Sequence, residues 1–423
     1  MRSNPVKKMK IAILNTYTSG GAGIACARLV EALRRGGHQV SVLTAENKSQ
    51  KPNVKTTMSY LRWRFNFTAE RLSWWRQEAN KEVRFAFSLG NWGKNASAQQ
   101  AVNQADIIHL HWINHGFLSL ENLNQLAKLN KPIVWTLHDL WAFTGGCHYS
   151  GSCENYTQNC GNCIFVKKPK PNDISFSIFE QKKAIYPNFK NLNIVTCSGW
   201  LADLARKSPL LKNATIQNIA NPIDTQIFSP VNKQIAKQNL GLAPNKQIIL
   251  FVAANISDKR KGFELLAESL NLLAQQYDKT KIALLIMGKA DEEILKKLPF
   301  QVHYLGNLNK IEEIVQAYSA ADVFAMPSLE DNLPNTIMES LACATPVVAF
   351  KVGGIPEMII HQQTGYLADN QDVINLKNGL LWLLNYENKE KLNQAARQFV
   401  LDHYHFELIN SAYTTIYQQA ITK

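Results

Sequence analysis

The chain has 423 residues, of which 46% are hydrophobic and 19% charged. This globular composition excludes a disordered or fibrous chain and, at ~100–200 residues per domain, leaves room for two or three domains. Lys and Arg number 46 against 33 Asp and Glu, a formal charge of +13 with a pI near 9.3, which suits nucleic acid, a phosphate-bearing ligand or an acidic membrane surface. No apolar run approaches the ~20 residues that cross a bilayer, and seven cysteines do not make a disulfide scaffold in a chain this long.

The start, Met1–Lys10, runs into the apolar stretch Ile11–Leu14, too short for a signal-peptide core. A cytoplasmic location is therefore expected, and Asn-x-Ser/Thr triplets such as Asn66–Thr68 are read as accidental. Lys10–Asn15 reads as a strand and Ala25–Arg35 as an amphipathic helix. Between them, Gly20, Gly21 and Gly23 let a phosphate or sugar approach the backbone, although a plain tight turn has the same glycines. Val40–Leu43, Asp106–Leu110, Ile133–Leu137 and Asn193–Cys197 read as further strands. Alternation puts His109 and His111 on one strand face, with His115 beyond them. His138-Asp139 follows a strand, where a neutral imidazole can hydrogen-bond a sugar hydroxyl or a phosphate.

Two segments break the regularity. Tyr60–Trp92, within an excursion over residues 58–100, mixes eight Trp and Phe with Arg62, Arg64, Arg71, Arg76, Lys81 and Arg84. Such a segment suits either an anionic membrane surface or a helical flap packed on its own domain. No nucleic-acid module accompanies it. Residues 145–165 carry Cys147, Cys153, Cys160 and Cys163, whose terminal C-x2-C pair suits a structural zinc, with two close disulfides as the alternative. Cys26, Cys197 and Cys343 read as core.

In the second half Ile248–Ala253, Lys281–Met287, Val302–Leu305, Asp322–Ala325 and Pro346–Phe350 read as strands. Phe263–Gln276, Ile311–Ala320 and Thr336–Ala342 read as helices, and Glu387–Lys423 as helix only. Strands alternating with helices predict parallel sheets covered on both faces. The expected layout is a Rossmann-like α/β domain over 1–212, a second over 213–403 and a C-terminal helix over 404–423.

Pro327–Phe350 carries the sharpest chemistry. A strand end, a loop with Asp331, and a helix capped by Asn335 or Thr336 put Asp331 and Glu339 eight positions apart. A helix N-terminus suits a diphosphate, and each carboxylate can accept two hydrogen bonds from a vicinal diol. The segment resembles the motif of family 4 of the glycosyltransferases, retaining enzymes of GT-B fold, with two acids separated by seven residues, a small-residue helix and a Pro-Val-Val strand. Asn-Leu-Pro stands where Gly-Phe-Gly is common.

The resemblance implies two Rossmann-like domains facing across a cleft, with C-terminal helices crossing back to the first. It implies that Asp331 and the backbone of Asn332, Leu333, Pro334 and Asn335 hold the donor sugar, and that Glu339 holds the ribose. Lys261, with Lys259 or Arg260, would meet the diphosphate. Gly306, Asn307 and Leu308 would receive the base, Gly21 and Gly23 would border donor and acceptor, and His138 would face the donor sugar. Gly353–Glu357 and Thr364–Ala368 fit the late part of the family pattern, and Asn221, Pro222 and Asp224 resemble its hinge.

The implied reaction moves a hexose from a nucleotide-diphosphate sugar to a hydroxyl of a saccharide or lipid-linked saccharide in surface-polysaccharide synthesis, on the inner membrane face and with no cofactor required for catalysis. A sugar-nucleotide epimerase of the same fold, or a membrane- or glycan-binding protein without turnover, are the alternatives.

Overall fold

The computed structural model describes residues 8–46 and 54–422. The chain's first seven residues, part of the stretch read against an export signal, lie outside the described residues. The chain divides into two compact units, one up to Asn221 together with Glu407 onwards, the other Pro222–Phe406.

The first unit is built on a seven-stranded sheet. Its strands are β1 (Lys10–Leu14), β2 (Gln39–Thr44), β3 (Val54–Thr56), β4 (Ile107–Leu110), β5 (Ile133–Leu137), β6 (Leu192–Thr196) and β7 (Thr215–Asn218). They lie in the order β3-β2-β1-β4-β5-β6-β7, all parallel. The second unit carries β8 (Gln247–Asn255), β9 (Ile282–Lys289), β10 (Gln301–Gly306), β11 (Val323–Met326), β12 (Val347–Phe350) and β13 (Gly365–Ala368). Their order is β10-β9-β8-β11-β12-β13, again all parallel. These are the two α/β sheets expected.

Central parallel strands are covered on both faces, so they read as continuous apolar runs. Every residue of β5, β11 and β12 is buried. The edge strands β3 and β7 are short and half exposed, which is why no apolar run announced them.

β7 moves the expected boundary. It pairs with β6 through Asn193–Thr196, so the first unit extends past residue 212 to Asn221. The C-terminal helix Phe406–Thr422 returns to that unit from Glu407. Gly36 permits the return, because a Cβ there would lie 2.3 Å from the Asn410 side chain. The helix is then held by Tyr417 Oη to His109 Nδ1 at 2.8 Å, Tyr413 Oη to Thr136 Oγ1 at 2.8 Å and His38 Nε2 to Thr414 Oγ1 at 2.9 Å. Ile409, Tyr413, Ile416 and Tyr417 are buried in one apolar cluster with Ile11, Ile13, Leu29 and Leu33, each such side chain contributing about 1.5–3 kcal/mol.

The first long helix starts at Gly20, not Ala25. Only Gly20 of the three glycines has a left-handed φ (+73°); Gly23 sits inside the first turns, where a Cβ would come within 2.9 Å of the Tyr17 carbonyl. The aromatic-basic excursion forms the helix Tyr60–Trp75. Trp63 and Trp74 are buried, Trp74 stacking on Phe87 at 4.2 Å. Leu61, Phe65, Leu72 and Trp75 are exposed on the other side.

Candidate functional site

In a doubly wound sheet, ligands gather outside the carboxyl ends of the strands where the winding reverses. In the second unit, successive strands run outward from β8 to β10 on one side and from β11 to β13 on the other. The reversal lies between β8 and β11, so the loops after these two strands are neighbours. Lys261 is on the first loop and Asp331 on the second, 70 residues apart, and Lys261 Nζ donates to Asp331 Oδ2 at 2.7 Å. Both side chains are partly accessible, at 29% and 16%.

The backbone holds this contact. Leu329 N–H donates to Arg260 O at 2.8 Å. Gly262 has φ +66° and lies so close to Pro327 that a Cβ would sit 1.9 Å from its carbonyl oxygen. Gly353, at φ +54°, approaches Asp331 from the far side, where a Cβ would fall 1.8 Å from the Asp331 carbonyl oxygen. Two glycines thus let two other loops close on the acid loop.

Lys259–Lys261 form one short turn capped by Asp258, whose Oδ1 accepts from Arg260 N–H. Arg260 returns its guanidinium to Asp258 at 2.8 Å, and Lys261 reaches the acid loop. Asn332, Leu333 and Pro334 are buried. The helix begins at Asn335 with Pro334 at the N-cap position and no side-chain cap, which corrects the expected capping by Asn335 or Thr336. Glu339 is 8% exposed, and its Oε2 accepts from Tyr318 Oη at 3.0 Å. Gly306 closes β10 with φ +63° and open space where a Cβ would be. Asn307 and Leu308 follow it directly.

In the first unit the winding reverses between β1 and β4. The loops after them are laced together: Thr16 N–H donates to Trp112 O at 2.7 Å, and Trp112 N–H to Asn15 Oδ1 at 3.0 Å. Gly21 and Gly23 lie in the helix that follows the first loop. His138 stands at the end of β5, its Nε2 3.0 Å from His111 Nδ1 and its Nδ1 3.6 Å from Cys197 Sγ. Burial, opposed by Asp139, pushes His138 down to about 4. It is a neutral imidazole at physiological pH, able to donate or accept but not to attract an anion by charge.

His109 is fully buried between Thr136 Oγ1 (2.8 Å) and Tyr417 Oη. It is a core histidine. His115 holds a left-handed backbone, φ 57°, and its Nδ1 lies 3.1 Å from Tyr17 Oη.

Cys147, Cys153, Cys160 and Cys163 line one small cavity of about 20 Å³, with Phe87, Tyr156 and Ser175. None is in a disulfide. Burial pushes the Cys160 thiol up to about 12 and the Cys163 thiol to about 11. Among the described residues no group of three or more His, Cys, Asp or Glu stands arranged to hold a metal ion. Donor type and number fit zinc; a preformed arrangement is not there. Among the same residues no helix is long and apolar enough to cross a membrane.

Several contacts at the site gave no signal in the sequence. Tyr318, which holds Glu339, lies in a helix that reads as ordinary core. Gly353 sits in a Gly-Gly pair that suggests a turn but not its neighbour. The partner of Asp139, His148, adjoins a cysteine and was overshadowed by it.

Comparison with known proteins agrees with this layout. A family model described as Glycosyltransferase Family 4 matches residues 19–227, and one described as Glycosyl transferases group 1 matches residues 246–386. The D-inositol 3-phosphate glycosyltransferase of Pseudarthrobacter chlorophenolicus is 31% identical over 85% of this chain and 83% of its own. The N-acetyl-alpha-D-glucosaminyl L-malate synthase of Bacillus anthracis is 24% identical over 98% of both chains. Among solved structures, sucrose-phosphate synthase from Thermosynechococcus elongatus superposes with a TM-score of 0.70 at 21% identity, covering 98% of this chain and 100% of that one. Anabaena HepE in complex with UDP does so at 0.64 and 17%, covering 97% and 100%. A relative this similar over most of both chains settles the family: the chain belongs to the family 4, group 1 glycosyltransferases, and the protein is an enzyme of sugar transfer.

Proposed function

We propose that the second unit binds a nucleotide-diphosphate sugar and that the enzyme moves its hexose, with retention, to a hydroxyl of a saccharide or lipid-linked saccharide. The observation that carries this reading is the Lys261–Asp331 contact of 2.7 Å at the winding reversal. Without substrate the two groups satisfy each other. A bound donor would take both, Lys261 to the diphosphate and Asp331 to sugar hydroxyls, with Asn332–Asn335 alongside, Glu339 on the ribose, and Gly306 to Leu308 at the base.

In the reaction the acceptor oxygen bonds the anomeric carbon as the carbon–phosphate-oxygen bond breaks. The leaving diphosphate takes the electron pair, and one of its oxygens takes the acceptor's proton. Lys261 stabilises the charge that develops on the diphosphate, and His138 positions a sugar hydroxyl. The test is calorimetric titration with UDP-, GDP- and ADP-glucose. One of these nucleotide sugars should bind the wild type and bind Lys261→Ala at least tenfold more weakly. Equal affinity in both proteins counts against the reading.

The acceptor is lipid-linked in this reading because the helix Tyr60–Trp75 exposes Leu61, Phe65, Leu72 and Trp75 beside the exposed Arg62, Arg64 and Arg76. That composition suits anionic lipid. Vesicles containing phosphatidylglycerol should carry the protein in flotation, and Phe65→Ser with Trp75→Ser should release it. Failure of the wild type to float removes the membrane. The four cysteines are proposed to take a structural zinc, supported by their shared cavity. Elemental analysis giving no zinc, or mass spectrometry giving disulfides, ends that part.

A further inference from the structure

The turn after β5 is fixed by a single carboxylate. Asp139 Oδ1 accepts from Trp141 N–H at 2.9 Å, and Oδ2 accepts from Trp112 Nε1–H at 2.6 Å. His148 Nδ1 lies on the same Oδ2 at 2.6 Å, and its Nε2 is 2.9 Å from Ser88 Oγ. Serine, imidazole and carboxylate here have the order of a nucleophilic triad. Ser88, however, is 0% exposed and His148 3%, so no substrate reaches the hydroxyl, and the row orients rather than reacts.

The backbone that carries the ring is fixed as well. His148 N–H donates to Ala86 O at 2.9 Å, His148 O accepts from Leu140 N–H at 3.0 Å, and Ser88 N–H donates to Gly146 O at 2.9 Å. Gly146, at φ +132°, leaves no room for a Cβ against Phe87. The cysteine-rich segment is therefore clamped to the stretch Ala86–Ser88, and its buried His148 side chain is aimed at Asp139.

We propose that His148 is a positioning residue for sugar transfer: through Asp139 it sets the turn that presents His138. This rests on the reading of His138 as a hydroxyl-binding group. Asp139 accepts from Trp141 and Trp112 and meets His148 at once, and that geometry makes it a fixture of the turn. Losing one of its three donors frees the turn to shift, and a shift of about 1 Å at a reacting group slows turnover on the order of 100-fold.

The test compares His148→Phe with His148→Asn, since asparagine puts an N–H where Nδ1 stands. Nucleoside diphosphate release from UDP-, GDP- and ADP-glucose gives kcat and KM, and the NMR signals of the His138 ring give its setting independently of turnover. His148→Phe should lower kcat by about 10- to 100-fold with donor KM within about twofold, and displace the His138 ring signals. His148→Asn should restore both. If His148→Phe does not fold, Trp112→Phe and Ser88→Ala remove neighbouring members of the row and should move the same ring signals. Unmoved ring signals in a folded His148→Phe, or equal damage from Asn and Phe, overturn the proposal. Displaced and restored signals without any donor turnover in the wild type leave the positioning intact and count against the sugar-transfer reading instead.

Discussion

The two winding reversals have the same topology and opposite chemistry. In the second unit the reversal presents a charged pair, Lys261 and Asp331, in partly accessible loops that two glycines allow to close. In the first unit it presents neutral groups, His111 beside His138 and the loop contacts of Thr16 and Trp112, and the carboxylate next to them, Asp139, is already engaged by three partners. One end is suited to hold charge that changes during a reaction, the other to hold hydroxyls in place. The units also differ in what anchors them, because the first borrows its C-terminal helix from the far end of the chain.

The sharpest break of that comparison is an anchor variant set against a site variant. Tyr417→Ala removes a ring that is 0% exposed and leaves His109 Nδ1 without its 2.8 Å partner. It should cost about 3–5 kcal/mol of the first unit's stability in denaturant titration, with the second unit's transition unmoved. Lys261→Ala should do the reverse. Its side chain is partly exposed, so unfolding should change by less than about 1 kcal/mol, whereas kcat should fall on the order of 100- to 1,000-fold. If Lys261→Ala unfolds the second unit instead, the pair is structural and the contrast fails.

Gly353→Ala comes next. A left-handed φ of +54° and a Cβ 1.8 Å from the Asp331 carbonyl oxygen force the acid loop away from its neighbour, at about 1–3 kcal/mol. Donor affinity should drop with it, measured by calorimetry.

Acid should separate the units too. Burial, with His138 adding to it, pushes His109 down to about 3, and burial opposed by Asp139 sets His138 at about 4, against about 6.5 in the unfolded chain. Below pH 6.5 the unfolded first unit binds protons that the folded one refuses. Its stability therefore falls as pH drops from about 6.5 towards 4 and 3, where these rings at last titrate. NMR titration of the two rings checks the window; either ring protonating near pH 6.5 in the folded protein removes it.

Much of this is legible in the amino-acid sequence. Continuous apolar runs such as Ile133–Leu137 and Val347–Phe350 announce strands covered on both faces, and the acid spacing in Pro327–Phe350 points to the loop that meets Lys261. The edge strands β3 and β7 escaped because their residues largely face solvent, and without β7 the expected first domain stops at residue 212, short of Asn221. Alternation put His109 and His111 on one face correctly, their rings 4.4 Å apart. It did not reveal that a helix some 300 residues later covers one of them. Contacts set by long-range packing, such as Tyr318 on Glu339, leave no local pattern to read.

The smallest expected effect concerns which acid of Glu330-Asp331 carries the role. Both are half-buried carboxylates in one loop, and sequence alone leaves the register between them open. Lys261 Nζ meets Asp331, and Gly353 packs on the Asp331 carbonyl, so the register is set by backbone closure at Asp331. Glu330→Ala should then stay within about 0.5 kcal/mol in stability and about threefold in kcat/KM, while Asp331→Ala loses transfer to the extent of Lys261→Ala. Reversed effects in donor-turnover assays would move the sugar-binding carboxylate one residue back and uncouple it from the lysine.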